Sequence, residues 1–271
     1  MPELPEVETT LRGIAPHLQN QIVSDIVIRN ANLRWPIPAD LPKLLRGHTV
    51  REIQRRAKYL LFTFEHGTLI LHLGMSGSLR ILPHDTPAEK HDHFDLVLAN
   101  GKLMRLRDPR RFGAVLWHVG DVSEHPLLGQ LGPEPLDAEF NADYLYQATR
   151  KRSAAIKLVI MDSHVVVGVG NIYANEALFR AGIRPQQTAN KLSRPRCVAL
   201  VRTLQEVLRD AIEKGGSSLR DFIHSDGSSG YFQQHYFVYG RTNETCKRCG
   251  SVIKLIKQGQ RSSFYCVKCQ K

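Results

Sequence analysis

Residues 94–107 read FDLVLANGKLMRLR, and this stretch decides the fold of the first half of the chain. Two short runs rich in Leu and β-branched residues, Phe94–Ala99 and Leu103–Arg107, flank the dipeptide Asn100-Gly101. Asn-Gly is the strongest short-range hairpin signal, because a two-residue type I′ turn needs positive φ at both central positions. The stretch therefore predicts two antiparallel strands joined by a tight turn.

Similar short runs lie on both sides of this hairpin. Each is rich in Leu or β-branched residues, and turn residues separate them, as is typical of an all-β sandwich or barrel. The predicted strands are Ile22–Arg29, His48–Arg55, Tyr59–Phe64, Thr68–Leu73, Ser78–Leu82, Phe94–Ala99, Leu103–Arg107 and Ala114–Trp117.

A helix is predicted before the first strand. Pro5 occupies the position of a first helical turn, and Val7, Leu11, Ile14 and Leu18 follow at spacings of four, three and four. These spacings place the apolar side chains in one stripe on a helix. The first residues of the chain are therefore expected to be held beside a packed helix.

The strand pattern stops at residues 132–135, GPEP, where we place a domain boundary. Helices are predicted after it at Asn141–Arg150, Ser153–Met161, Asn171–Ala181 and Ser193–Lys214. A Gly/Ser-rich stretch from Gly215 to Gly230 follows, with the composition of a functional loop. The second part of the chain is thus predicted to be mostly helical.

Four cysteines near the end of the chain have the spacing of a zinc ribbon. Cys246 and Cys249 form one CxxC pair, and Cys266 and Cys269 form another after sixteen residues. The alternative is two disulfides, which an intracellular protein disfavours. Four Cys ligands leave no open coordination position, so one structural Zn2+ is expected. Cys197, the fifth cysteine, lies in a helical pattern and is predicted to be a small core or half-exposed residue.

The charge points to a polyanionic partner. The 271 residues include 37 Lys and Arg against 26 Asp and Glu, a net charge of +11, for which nucleic acid is the simplest partner. Residues 241–271 carry eight Lys or Arg against Glu244 alone, a net charge of +7. Arg261 lies between the two cysteine pairs, so we predict it near a hairpin tip, either reaching a phosphate or as a solvated surface charge. The alternative is a basic soluble protein with no such partner.

The N-terminus begins Met-Pro-Glu-Leu-Pro-Glu and lacks the basic and apolar regions of a signal peptide. No apolar run approaches the roughly 20 residues of a membrane span. We therefore expect a cytoplasmic location and reduced thiols, and we expect no contact with a membrane.

Four segments, read with the cysteine quartet, carry a family resemblance: residues 2–6 (PELPE), 54–60 (QRRAKYL), 108–113 (DPRRFG) and 168–174 (GVGNIYA). Together they closely resemble the bacterial formamidopyrimidine-DNA glycosylases, also called 8-oxoguanine DNA glycosylases. The resemblance runs from residue 2 to residue 271 with all motifs in order.

The resemblance implies an α+β fold with three domains. The first, residues 2–133, is a catalytic β-sandwich with an N-terminal helix. The second, residues 134–235, is a helical helix-two-turns-helix DNA-binding domain. The third, residues 236–271, is a zinc-ribbon β-hairpin.

The function that the resemblance implies is that of a bifunctional DNA glycosylase and AP lyase of base excision repair. It would act as a monomer on double-stranded DNA containing oxidised purines, namely 8-oxoguanine and formamidopyrimidines. Pro2, freed by removal of Met1, would form a Schiff base, and β,δ-elimination would cut the strand. Glu3 would be the general acid/base, and Lys58 would hold a phosphate at the lesion. From the residues alone, a proline that stiffens the terminus before a helix is the favoured interpretation of Pro2, and an ordinary exposed lysine is the alternative for Lys58.

The resemblance also implies DNA contacts. Phe112 would unstack the bases of the DNA duplex, and Arg110 would pair with the cytosine opposite the extruded nucleotide. Met75 would fill the space that the nucleotide leaves. The full set is Glu6, His72, Met75, Arg110, Phe112, Lys157, Asn171 and Arg261, with Lys157 facing the damaged base and a loop at 217–231 closing over it. Six of these residues have an ordinary alternative: a helix-capping charge at Glu6, a structural histidine at His72, an N-cap at Asn171, and core or surface filler for Met75, Arg110 and Phe112, which together we call the wedge residues.

Two other functions compete with this interpretation. The first is an endonuclease VIII-type glycosylase for oxidised pyrimidines, which Leu4 and the Arg-Arg-Phe sequence at 110–112 disfavour. The second is a non-enzymatic zinc-ribbon DNA-binding protein, which needs no free Pro2. One segment departs from the family pattern: residues 235–237, HYF, are more aromatic than expected, which puts local packing or the damaged-base preference in doubt.

Overall fold

The computed structural model describes residues 1–216 and 235–271. The described residues form two compact units, one of residues 1–129 with 214–216 and the other of residues 130–213 with 235–271. The loop predicted at 217–231 lies outside the described residues. The division into domains at 133 and 235 stays a prediction.

The first unit contains two helices and eight strands. Helix α1 begins directly after Glu3, with Pro5 in its first turn, and its apolar stripe is buried as predicted. The elements are α1 (Leu4–Leu18), β1 (Val23–Ile28), α2 (Leu41–Leu45), β2 (Glu52–Arg56), β3 (Tyr59–Phe64), β4 (Gly67–His72), β5 (Ser78–Pro83), β6 (Asp92–Leu98), β7 (Lys102–Arg107) and β8 (Ala114–His118). All eight predicted strands are present, although β2 begins at Glu52 rather than His48.

The strands form two antiparallel sheets of four, with the orders β1-β6-β7-β5 and β2-β3-β4-β8. Phe62 and Leu69 from one sheet and Phe94 and Met104 from the other belong to a single buried core. Helix α1 contacts β2, β3 and β5 and adds Ile14 to that core. The prediction of a β-sandwich is confirmed, and the barrel alternative is wrong.

The hairpin between β6 and β7 is confirmed, but its predicted turn type is wrong. Gly101 has φ of +81°, whereas Asn100 does not have positive φ, as a type I′ turn requires. The loop has three residues, and the Gly101 N–H donates to the Leu98 carbonyl at 3.4 Å. A three-residue loop needs a left-handed residue only at its last position, and Gly101 supplies it.

The second unit begins with four helices. They are α3 (Ala142–Arg150), α4 (Ile156–Ile160), α5 (Asn171–Arg180) and α6 (Arg194–Glu213). The Asn141 side chain caps α3 by accepting the N–H of Tyr144 at 3.0 Å. Helix α4 is shorter than the predicted Ser153–Met161. Cys197 is fully buried in α6, as predicted.

The end of the chain forms an antiparallel hairpin of β9 (Ile253–Gln258) and β10 (Arg261–Cys266). Its small core contains Phe179 of α5 together with Val238, Cys246, Ile253 and Cys266. Among residues 1–216 and 235–271, no helix combines the length and apolar character that crossing a membrane requires. The α+β fold class with sandwich, helical region and hairpin is confirmed.

Candidate active site

The predicted nucleophile and acid/base lie at the start of α1. Pro2 is buried, and Glu3 and Glu6 are 2% and 0% exposed. Glu3 is the N-cap residue, and its backbone N–H donates to Oε2 of Glu6 at 2.8 Å. Glu6 therefore fixes the backbone next to Pro2, which is the capping role that the sequence left open.

A cavity of about 720 Å³ lies beside the N-terminus. Met1 lines it together with four predicted DNA-contact residues, His72, Met75, Arg110 and Phe112. The remaining lining residues are Asn32, Leu33, Arg34, Gly74 and Arg111. Met1, which precedes Pro2, thus lines one cavity together with residues from three other parts of the sequence.

Lys58 occupies a two-residue turn between β2 and β3. Its neighbour Ala57 has φ of +55°, a left-handed conformation that favours glycine. Arg55 fixes this turn to α1, because it donates to the Ala57 carbonyl at 3.0 Å and to Oε2 of Glu8 at 2.9 Å. Burial raises the pKa of Glu8, but the hydrogen bonds from Arg55 and Arg12 outweigh it, so the pKa lies below its ordinary value. The bridge is therefore ionised at neutral pH.

His72 is the last residue of β4, and its tautomer is fixed by a neighbour. Nδ1 accepts the backbone N–H of Gly74 at 3.0 Å, which leaves the ring proton on Nε2. Burial and the positive charges of Lys58 and Arg34 lower the pKa of His72 to about 4. At neutral pH the ring is an uncharged N–H donor, a form suited to a phosphate oxygen.

The protonation of His72 is directly testable. We expect its ring resonances to titrate with a midpoint near pH 4 in the folded protein and near 6.5 in the unfolded chain. Between these values the unfolded chain binds more protons, so His72 lowers the free energy of unfolding as pH falls from 6.5 towards 4. Nuclear magnetic resonance of labelled histidine, assigned with His72→Gln, measures the midpoint. A folded-state midpoint at 6.5 would contradict the buried, neutral ring.

The predicted wedge residues are exposed at the cavity. The exposed fractions are 36% for Met75 and 44% for Phe112, large for apolar side chains. The Arg110 guanidinium lies 4.9 Å from the centroid of the Phe112 ring. Proteins that unstack DNA insert protruding apolar side chains between bases, and a neighbouring cation suits the phosphates beside them.

Asn171 and Arg261 lie in the second unit. Asn171 is the first residue of α5, but Gly170 is the N-cap, so the N-cap alternative for Asn171 is wrong. The N-terminal end of this ten-residue helix favours an anion. Arg261 is exposed at the start of β10, directly after the turn residues Gly259 and Gln260, as predicted for a hairpin tip.

Lys157 occupies a different environment from the one expected. It is fully buried in α4, and its Nζ donates to the Ser262 carbonyl at 2.8 Å and to Ser263 Oγ at 2.6 Å. A lysine enclosed in this way holds the hairpin, and the geometry gives no support to the predicted contact with a damaged base. The sequence could not show this, because the partners lie 105 and 106 residues away.

The four predicted ligand cysteines converge. Their Sγ atoms all lie within 4.8 Å of one another, with 3.8 Å between Cys246 and Cys269 and 3.4 Å between Cys249 and Cys266. A tetrahedral Zn2+ with Zn–S bonds of about 2.3 Å requires sulfur separations of about 3.8 Å. All four cysteines are free, so the disulfide alternative is wrong. The residues fit one structural Zn2+.

Two residues of α5 that sequence reasoning missed hold the ribbon. The Glu176 carboxylate, 1% exposed, accepts the backbone N–H groups of residues 237, 238 and 239, each at 2.9 Å. The Asn175 side-chain oxygen accepts the N–H of Phe264 at 2.8 Å. Phe237 stacks on Phe179 with ring centroids 5.3 Å apart, so the aromatic departure at 235–237 contributes to local packing. A carboxylate on the buried face of a predicted helix is the signal that was available.

Family models cover most of the chain. Residues 1–115 match the formamidopyrimidine-DNA glycosylase N-terminal domain, and residues 131–223 match the H2TH domain of the same glycosylase. Residues 243–271 match a zinc finger found in FPG and IleRS. The chain belongs to the formamidopyrimidine-DNA glycosylase family.

Curated relatives of this family match over the full length. The chain is 58% identical to formamidopyrimidine-DNA glycosylase of Thioalkalivibrio sulfidiphilus, with 100% of both chains covered. It is 57% identical to the same-named protein of a Janthinobacterium species, again with 100% of both covered. The prediction of a DNA-repair glycosylase is therefore confirmed, and a non-enzymatic zinc-ribbon module is excluded.

Solved structures of the family share the fold. The Lactococcus lactis Fpg complex with abasic-site DNA has a TM-score of 0.92 at 35% identity, with 99% of both chains covered. The complex of that protein with Fapy-dG DNA has a TM-score of 0.91 at 35% identity, covering 99% of this chain and 100% of that one. The Fpg protein from Thermus thermophilus has a TM-score of 0.88 at 37% identity, covering 99% of this chain and 98% of that one.

Proposed function

We propose that the protein is a bifunctional DNA glycosylase and AP lyase that removes oxidised purines, 8-oxoguanine and formamidopyrimidines, through a Schiff base on Pro2. The observation that carries the proposal is the cavity beside the N-terminus. Met1 lines it together with His72 and the wedge residues Met75, Arg110 and Phe112. Removal of Met1 leaves the Pro2 nitrogen as a secondary amine at the same cavity.

The chemistry follows from that amine. Its lone pair forms a bond to C1′ of the damaged nucleotide while the glycosidic bond breaks, and the base leaves with a proton. Opening of the sugar ring gives an iminium, which is cationic because proline is a secondary amine. Glu3, buried next to Pro2, donates the proton that the ring oxygen needs in this step.

The iminium also explains strand cleavage. Its positive charge acidifies the C2′ proton, and loss of that proton expels the 3′ phosphate. A second elimination expels the 5′ phosphate, and hydrolysis of the iminium releases the sugar remnant and restores Pro2. Each step moves protons and electron pairs among the enzyme, the DNA and the one water molecule consumed in hydrolysis of the iminium, so no external oxidant or reductant is needed.

The remaining site residues bind the DNA. Lys58 and neutral His72 take phosphates at the lesion, and Glu6 holds Glu3 in place. Phe112, Arg110 and Met75 fill the space left by the extruded nucleotide. Asn171 and Arg261 bind the backbone from the second unit.

Relatives support a DNA partner. The solved Lactococcus lactis proteins hold DNA containing an abasic site or Fapy-dG. A formamidopyrimidine is the ring-opened product of an oxidised purine, which is the class of lesion proposed for this chain. A monomeric state and a cytosolic location stay predictions.

The test is borohydride trapping on a duplex with 8-oxoguanine opposite cytosine. We expect a covalent adduct on the N-terminal peptide, identified by mass spectrometry, and a strand cut on both sides of the lesion. A matched duplex with thymine glycol should be cut more slowly. Faster cutting of thymine glycol would assign the protein to oxidised pyrimidines, and the absence of an adduct would refute the Schiff base.

A further inference from the structure

One buried carboxylate connects the two loops that carry the wedge residues. These wedge loops are residues 73–77, which contain Met75, and residues 108–113, which contain Arg110 and Phe112. Asp108 is fully buried. Its Oδ2 accepts the Gly113 N–H at 2.8 Å, and its Oδ1 accepts the Ser76 hydroxyl at 2.6 Å.

The Ser76 hydroxyl connects Asp108 to the backbone of the second loop. Its Oγ donates to Asp108 and accepts the backbone N–H of Arg110 at 3.1 Å. The segment from Arg110 to Gly113 is therefore held at both ends by one carboxylate, directly at Gly113 and through Ser76 at Arg110. Ser76 is also the residue that follows Met75. We call the two hydrogen bonds of the Ser76 hydroxyl, one to Asp108 and one from Arg110, the relay, and it connects both wedge loops.

The backbones of the wedge loops pack closely at two glycines. A Cβ on Gly74 would lie 2.3 Å from the carbonyl carbon of Phe112, and one on Gly113 would lie 2.8 Å from the His72 carbonyl oxygen. Asp108 is itself held, because its carbonyl accepts the Arg111 N–H at 3.1 Å. A side chain at Gly74 or Gly113 would therefore push the wedge loops apart or shift the neighbouring strand end.

We propose that Asp108, acting through Ser76, is a positioning residue for the wedge. The inference rests on the proposed function, in which the wedge residues replace an extruded nucleotide. Extrusion costs the free energy of stacking and pairing, so side chains that enter the stack need a rigid backbone beneath them. Asp108 offers one carboxyl oxygen to Ser76 and the other to Gly113, so a single side chain bonds both wedge loops, which suits it to that task.

The experiment compares two substrates. An 8-oxoguanine:cytosine duplex has to be unstacked by the wedge, whereas an abasic site in a single strand does not. Ser76→Ala breaks the relay, and we expect it to slow base excision from the duplex about tenfold, the effect of losing a buried hydrogen bond. Strand cutting at the single-stranded abasic site should stay within about twofold of the parent.

Two further variants make the result specific. Ser78→Ala removes another buried serine hydroxyl two residues away and outside the relay, so both activities should remain near the parent values. Asp108→Asn keeps the shape and a bond to each partner without the charge, so it should excise faster than Ser76→Ala. A 2-aminopurine beside the lesion reports unstacking, and its fluorescence rise should be smaller with Ser76→Ala.

The outcomes separate the inference from the proposed function. Parent protein that cuts neither substrate refutes the function. Active parent protein with an unchanged Ser76→Ala variant refutes the positioning role. Equal loss on both substrates, with normal 2-aminopurine unstacking, also refutes it, because the defect then lies outside the wedge.

Discussion

Protein that retains Met1 is expected to remove 8-oxoguanine at least about a thousandfold more slowly than protein that begins at Pro2, because removing a catalytic nucleophile costs several orders of magnitude in rate. With Met1 present, the Pro2 nitrogen belongs to a peptide bond, and its lone pair is delocalised into the carbonyl. An amide nitrogen cannot attack C1′ or form an iminium. Excision rates and borohydride adducts of the two forms, separated after N-terminal sequencing, measure the effect.

The matched control adds one residue at the other end of the chain. A C-terminal extension leaves Pro2 free, so excision should match the parent rate. Binding of undamaged duplex should be similar in all forms, because phosphate contacts dominate it. If the Met1-containing form excises at the parent rate, the nucleophile is a different group.

Loss of zinc is expected to lower the affinity for DNA about a hundredfold, since structural zinc supplies the folding free energy of such small ribbons. Two of the five buried side chains in the ribbon core, Cys246 and Cys266, are also metal ligands. A two-stranded hairpin is marginally stable without further support. Chelation or Cys249→Ser should therefore displace Arg261 along with the hairpin.

Cys197 offers the matched control for the cysteine change. It is fully buried in α6, away from the four ligands, so Cys197→Ala should retain one zinc per chain and the parent affinity. Zinc content and DNA titration at a fixed salt concentration measure both variants. Unchanged affinity after complete loss of zinc would show that the ribbon is not needed for binding.

Much of the fold was predictable because its causes are local. The short strand runs are rich in Leu and β-branched residues and are separated by turn residues, and the CxxC pairs set the ligand geometry by spacing alone. The turn at Gly101 was predicted with the wrong type because loop length depends on where the strands stop pairing, which the dipeptide does not determine. Helix α4 is shorter than predicted for a similar reason: the Ile156 N–H bonds to the distant Gln187 carbonyl instead of a residue preceding it in the helix.

The candidate site was less predictable. The family resemblance alone predicted the roles of Met75, Arg110 and Phe112, because the periodicity of the sequence does not distinguish them from ordinary surface residues. The structure brings them to one cavity, but the role of Asp108 emerges only from hydrogen bonds that span up to 34 residues. The burial of Lys157 was unpredictable for the same reason, because its partners Ser262 and Ser263 are distant in the sequence, and its contact with a damaged base stays a prediction.

The carboxylate of Glu176 couples the unfolding of helix α5 to that of the ribbon at the end of the chain. Its three backbone partners, residues 237–239, lie at the start of the ribbon, and Phe179 of the same helix packs in the ribbon core. Opening of the ribbon therefore uncovers a buried charge and an aromatic ring on α5, so the two segments should open as one foldon. Amide hydrogen exchange in α5 should then report how much of the repair enzyme in a cell carries its metal.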